Sequence, residues 1–140
     1  MSTLLTVFPH LGLIAMVMSL SHLLPLGVSL VHGDGASGAF VVSMAVNFAA
    51  GCTMWITTRR RKRRELTARD GILLVVLAWC GGAAFATLPL LLVVPGLSFT
   101  DAYFETVSGL TTTGATVLSN LDVMEPSINF WRCLLVWLGG

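Results

Sequence analysis

The sequence predicts an all-α membrane protein in which transmembrane helices hold a re-entrant half-helix and a polar loop. Three observations predict it. Of the 140 residues, 55% are hydrophobic and only 11% charged, whereas charged residues make up about a quarter of an ordinary soluble domain. Apolar runs recur that are long enough to cross about 30 Å of hydrocarbon, which takes about 20 helical residues. Between two such stretches, an amphiphilic segment from Ser98 to Leu110 leads into the polar hexapeptide Thr111-Thr112-Thr113-Gly114-Ala115-Thr116. Irregular backbone at membrane depth is tolerated only where protein buries it or where it lines a water-filled cavity. Such backbone can present carbonyl oxygens to an ion in place of its hydration shell, so the chain reads as part of a cation-conducting protein.

The first element is the uncharged run Leu4 to Val31, expected to be one spanning helix with Pro25 near its far end, positioned to kink or end it. The run is too long for the apolar core of a signal peptide, and no basic segment precedes it. His10 and His22 on this run are expected to be packed or interfacial and to bind no metal. The glycine-rich turn His32-Gly33-Asp34-Gly35-Ala36-Ser37-Gly38 suits an antiparallel connection. Gly38 to Thr57 is the second span, in which Asn47 is the one strongly polar side chain and is expected to form an interhelical hydrogen bond. Trp55 falls where an interfacial belt would lie.

Seven of the eight basic residues lie between Arg59 and Arg69. In a soluble chain Arg59-Arg60-Arg61-Lys62-Arg63-Arg64 would suggest a nucleic-acid patch, but between two apolar spans it marks a cytoplasmic loop facing the lipid bilayer. No nucleic-acid partner follows. The cluster places residues 58–70 and the amino terminus in the cytoplasm and the Asp34 turn outside.

Gly71 to Val94 is the third span, with Pro89 and Pro95-Gly96 breaking the helix near its outer end. Ser98 or Thr100 can cap a new helix and Asp101 suits its first turn. From about Thr100 to Leu110 that helix would be roughly 15 Å long, half a bilayer. Its carbonyl pole then lies at mid-membrane, where partial negative charge favours a cation. Asp101 and Glu105 share one face on its outer part, suited to interfacial anchoring or cation attraction. The chain returns through Asn120, Asp122 and Glu125, and Ile128 to Gly140 begins another helix, expected to continue because thirteen residues cannot span. Arg132 is placed to snorkel or to pair with Asp101, Glu105, Asp122 or Glu125.

Cys52, Cys80 and Cys133 have neither zinc nor disulfide spacing. There is no nucleophile and base pair, metal-ligand cluster or phosphate loop, so no enzyme and no cofactor is expected.

Taken together, Arg69-Asp70-Gly71, Trp79, Pro89, the run Phe99 to Gly109, Thr111 to Thr116, Trp131-Arg132 and Trp137-Leu138-Gly139-Gly140 resemble the first part of a Trk-type potassium uptake protein, the pore-forming membrane subunit. The likeness is close from about Arg69 to Gly140 and looser over residues 4–57. It implies two amino-terminal transmembrane helices over 1–57, a basic loop over 58–70, and over 71–140 the first of four helix, pore loop, helix repeats, incomplete at the carboxyl end. It also places Gly114 at the filter glycine. Thr112, Thr113, Gly114 and Ala115 would then offer main-chain oxygens to potassium, centred on Thr112, Thr113 and Gly114, while Thr111 and Thr116 brace the loop. The resemblance further implies the plasma (inner) membrane, a pore entrance facing outward, three more repeats in the same chain, a homodimer and a cytoplasmic nucleotide-binding regulatory protein. Thr-Thr-Gly-Ala-Thr lacks the aromatic and second glycine of T-V-G-Y-G filters, which implies looser selectivity. The competing reading is a non-conducting structural or regulatory membrane subunit.

Overall fold

The computed structural model describes residues 3–58 and 67–140. The basic run Arg59 to Arg64 therefore lies outside the described residues. Among the described residues seven α-helices follow in order: α1 (Thr3–Leu20), α2 (Leu23–His32), α3 (Ser37–Thr58), α4 (Ala68–Ala86), α5 (Leu88–Val93), α6 (Phe99–Leu110) and α7 (Pro126–Gly139), with one 3-10 turn at Leu121–Val123. No strand is present among the described residues. Among the described residues three segments are long and apolar enough to cross a membrane: Thr6–His32, Ser37–Thr58 and Ala68–Val93.

Two of the three spans are broken, each a few residues ahead of the proline expected to interrupt it. The run Leu4 to Val31 divides at Ser21-His22, four residues ahead of Pro25, because proline has no N–H and its ring crowds the carbonyl one turn back. The bend is bridged by tighter bonds, Ser21 N–H to Met18 O at 3.2 Å, His22 N–H to Ser19 O at 3.3 Å and Leu24 N–H to Ser21 O at 3.3 Å, the 3-10 pattern. Likewise α4 gives way to α5 at Thr87, whose N–H and hydroxyl both donate to Ala84 O, at 3.4 and 2.6 Å, ahead of Pro89 in the first turn of α5. The chain then turns at Gly96 (φ 74°) into α6.

Close backbone approach holds α1 against α3. A Cβ on Gly12 would lie 2.6 Å from the Gly51 carbonyl oxygen, and one on Gly51 would lie 2.7 Å from that of Gly12. At the opposite end of the fold the core centres on Trp131 of α7, which is fully buried. Its indole N–H donates to Ala86 O at 3.1 Å, and its ring lies 4.4 Å from that of His22 and 6.3 Å, edge-on, from that of Phe40. His22 Nδ1 bonds Met18 O at 3.3 Å, leaving Nε2 to face Asn47 Nδ2 at 3.4 Å. Asn47 thus makes the expected interhelical contact, and His22 is a packed histidine. α7 is therefore pinned to α2, α3 and the end of α4, and carries α6 on its other face.

Asp34, in the α2–α3 turn, caps α7. Its Oδ2 accepts from Ser127 N–H at 3.0 Å, while Oδ1 accepts from Ala36 N–H at 3.1 Å and from the Ser29 hydroxyl. An anion at a helix N-terminus meets both the unpaired N–H groups and the positive pole.

Candidate ion-binding loop

The half-helix forms because its ends are specified locally. Ser98 is the cap: its Oγ accepts from Asp101 N–H at 3.1 Å and donates to the Asp101 carboxylate at 2.7 Å. Thr100, the other capping candidate, lies inside α6. The twelve residues of α6 give a rise of about 18 Å, short of a span. On one side the Thr106 hydroxyl donates to Ala83 O at 2.9 Å, fixing α6 against α4. On the other, Gly109 lets α7 approach until a Cβ there would sit 3.0 Å from Leu135 Cβ.

Beyond Leu110 the backbone folds back on the helix end. Thr111 N–H donates to Val107 O (2.8 Å), Thr112 N–H to Gly109 O (2.9 Å), and both Thr113 N–H (2.9 Å) and Gly114 N–H (3.4 Å) to Ser108 O. Thr112 (φ 57°) and Gly114 (φ 73°) are left-handed, with Thr113 between them outside that region. Such alternation converges successive N–H groups on one acceptor. Glycine adopts that conformation without strain, whereas for threonine it is uncommon.

In a trans peptide the carbonyl points opposite to the N–H across the same bond. The carbonyls of Thr111, Thr112 and Thr113 are therefore aimed away from α6. No hydrogen bond among the described residues occupies the oxygens of Thr112, Thr113 or Gly114. The carbonyl pole of the half-helix does not itself face open space, because its oxygens fold the loop. The aligned peptides relay that polarity outward, since hydrogen-bonded dipoles in sequence reinforce one another.

Side chains fix the loop's two limbs. Thr111 Oγ1 donates to Val107 O at 2.8 Å and lies 2.9 Å from Thr113 Oγ1. The Ser108 hydroxyl donates to Ala115 O at 2.7 Å, so that carbonyl differs from the three before it in carrying an internal partner. On the outgoing limb, Glu105 Oε1 accepts from the Thr116 hydroxyl, from Val117 N–H at 2.6 Å and from Leu118 N–H at 3.3 Å. Its Oε2 takes Arg132 Nε at 3.0 Å. Arg132 also reaches Thr116 Oγ1 at 3.1 Å and Asn129 Oδ1 at 3.3 Å, and Asn129 Nδ2 donates to Leu121 O at 2.6 Å.

This network separates the two α6 carboxylates. Asp101 serves the helix cap, whereas Glu105, 5% exposed, is turned inward beneath the loop and is not an outward-facing anchor. Of the four partners open to Arg132, the structure selects Glu105. Ser108 escaped the sequence reading, since a serine on a short helix carries no sign of which carbonyl it will meet. Glu105 had a signal: a carboxylate too deep to stay hydrated needs a cation, and Arg132 is the one basic residue after Arg69. The residues from Thr111 to Val117 are exposed in this chain.

Three long apolar segments, with a braced half-helix and loop beside them, define a multi-pass membrane protein. Residues 36–140 match the family model described as "TrkH: Cation transport protein", and the chain belongs to that family. Over 131 residues it is 44% identical to the Trk system potassium uptake protein TrkH of Halomonas elongata, an alignment covering 93% of this chain and 27% of that protein. It is 42% identical to the protein of the same name from Escherichia coli K12, over 92% of this chain and 27% of that one. The crystal structure of the potassium transporter TrkH from Vibrio parahaemolyticus superposes with a TM-score of 0.90 at 39% identity, covering 99% of this chain and 30% of that chain. The chain thus spans between a quarter and a third of the length of these relatives, which are potassium uptake proteins and not enzymes.

Proposed function

We propose that the protein carrying this segment takes up potassium through a channel-like pore in the plasma membrane, and that Thr111–Thr116 forms one quarter of its selectivity filter. The carrying observation is the set of carbonyls at Thr112, Thr113 and Gly114, all free of internal hydrogen bonds, with those of Thr112 and Thr113 turned away from the half-helix. Unpartnered oxygens in succession are the ligand type that replaces the hydration shell of an alkali cation. Ala115 O joins them with its remaining lone pair. Thr111 and Thr116 act through the loop's shape. Three further loops, from the remaining length of the parent chain, complete the ring. Assembly as a homodimer under a cytoplasmic nucleotide-binding protein, with the basic 58–70 loop and the amino terminus inside, belongs to the same reading.

The test is potassium uptake by the full-length parent in cells lacking their own uptake systems. Gly114→Asp is expected to abolish or severely distort transport while the protein still inserts, because a side chain at φ 73° strains the loop and adds an anion beside the ion path. Normal uptake by that variant would overturn the assignment. Competition with rubidium and sodium reads selectivity in the same assay. With Thr-Thr-Gly-Ala-Thr in place of the fuller signature, measurable passage of both is expected.

A further inference from the structure

Gly139 lies in α7, and a glycine at or near a helix end is ordinarily explained as a left-handed helix terminator. That explanation fails here, because Gly139 is not among the residues with positive φ. A glycine in helical geometry costs about 1 kcal/mol relative to alanine, so something else requires it. What requires it is contact. A Cβ at this position would fall on the Leu110 carbonyl oxygen, 2.6 Å from the carbonyl carbon and 2.9 Å from Leu110 Cα. All three atoms are backbone, which cannot swing aside as the end of a side chain can.

Leu110 is the last residue of the half-helix, bonded directly to Thr111 at the foot of the loop. The neighbouring contacts repeat the relation more gently: a Cβ on Gly109 would meet Leu135 Cβ at 3.0 Å, and one on Gly140 would meet Thr112 Cγ2 at 3.5 Å. α7 is itself fixed at its other end by Trp131 and by the Asp34 cap. The half-helix therefore rests end-on against a helix that cannot recede, and the seat is bare backbone on both sides.

We propose that Gly139 is a positioning residue for ion selection: its missing side chain sets how deeply α6 seats on α7, and hence where the carbonyls of Thr112, Thr113 and Gly114 stand. This rests on the filter reading above. A methyl group at residue 139 displaces Leu110 and with it the whole loop, while leaving every candidate ligand chemically intact. Gly139 touches no ion. It acts through Leu110.

The experiment uses the full-length parent protein, with potassium and sodium uptake measured against concentration. Gly139→Ala is expected to reach the membrane yet to raise the KM for potassium and lower potassium-over-sodium discrimination, each on the order of tenfold or more, as misplacement of ligating groups by about 1 Å implies. Gly38→Ala, on α3 with open space around it, is expected to match wild type. Unchanged KM and discrimination in Gly139→Ala, with only the maximal rate or the protein level reduced, would overturn the proposal, since a merely structural role moves those alone. If Gly139→Ala does not fold, Gly109→Ala decides through the adjacent contact with Leu135 Cβ: altered discrimination, restored by adding Leu135→Gly, which removes that Cβ, supports it, and unaltered discrimination overturns it. Failure of the filter reading is recognised separately, by normal uptake in Gly114→Asp.

Discussion

At the scale of single residues, the loop is governed by side chains that do not belong to it. Glu105 gathers two backbone N–H groups, the Thr116 hydroxyl and the Arg132 guanidinium, so one carboxylate fixes the outgoing limb to α6 and to α7 together. Removing one partner of a buried ion pair costs more than the pair contributes, because the other charge is left desolvated. Glu105→Gln keeps an oxygen for Val117 and Thr116 but places an amide against Arg132. That variant is expected to lose on the order of 3 kcal/mol of stability, read as a lowered unfolding temperature of the detergent-solubilised parent protein. Stability equal to wild type would show that the pair is solvated and carries little. This scale was only half legible in the sequence. The pairing of Arg132 with a nearby acid followed from charge and depth, but choosing Glu105 over Asp101 needed the helix phase relative to α7. The left-handed Thr112 carried no signal, since threonine is a poor guide to positive φ.

At the scale of elements, the spans, the short helix and the loop were legible because each rests on a local rule: apolar length, a serine cap with an aspartate three residues on, and a proline stop. The breaks within the first and third spans were harder to place, since Pro25 and Pro89 act on carbonyls roughly one turn upstream and not at their own positions. Least legible was a cap supplied from afar. Asp34 lies 93 positions from Ser127, yet its carboxylate closes the start of α7. Partial burial opposes its ionisation, but hydrogen bonds from the Ser29 hydroxyl and from the Ser127 and Ala36 N–H groups outweigh this and hold its pKa at about 2, against an ordinary 3.8. A group whose pKa is depressed on folding stabilises the fold above its unfolded value and ceases to do so as pH falls through the folded one. Asp34→Asn is therefore expected to unfold at a lower temperature than wild type at neutral pH. The gap between them should close as pH falls from 3.8 towards 2. A gap independent of pH in thermal unfolding would place the stabilisation in shape and not in charge.

At the scale of the whole molecule, the parts converge on one tryptophan. The amino-terminal helices contribute His22 and Phe40, the third span contributes the Ala86 carbonyl, and Trp131 meets all three from α7, one residue before the arginine that holds Glu105. The two spans preceding the helix, loop, helix unit are thereby part of its support, because they fix the helix on which the half-helix is seated. Two substitutions separate the components of that support. Trp131→Phe keeps most of the ring volume and loses the indole N–H bond to Ala86 O, expected to cost about 1 kcal/mol for the bond itself plus the cost of a buried carbonyl left unpaired. Trp131→Ala opens a large cavity at a fully buried position, expected to cost about 3–5 kcal/mol. If α7 transmits this packing to the loop, ion discrimination should degrade in the same order as stability, with the alanine variant worse than the phenylalanine one. Discrimination measured in the parent protein alongside thermal unfolding checks this. Wild-type discrimination in a destabilised but folded Trp131→Ala protein would mean that the loop's shape is set by the Glu105 and Leu110 contacts alone, and that the amino-terminal helices stabilise the protein without shaping its ion path.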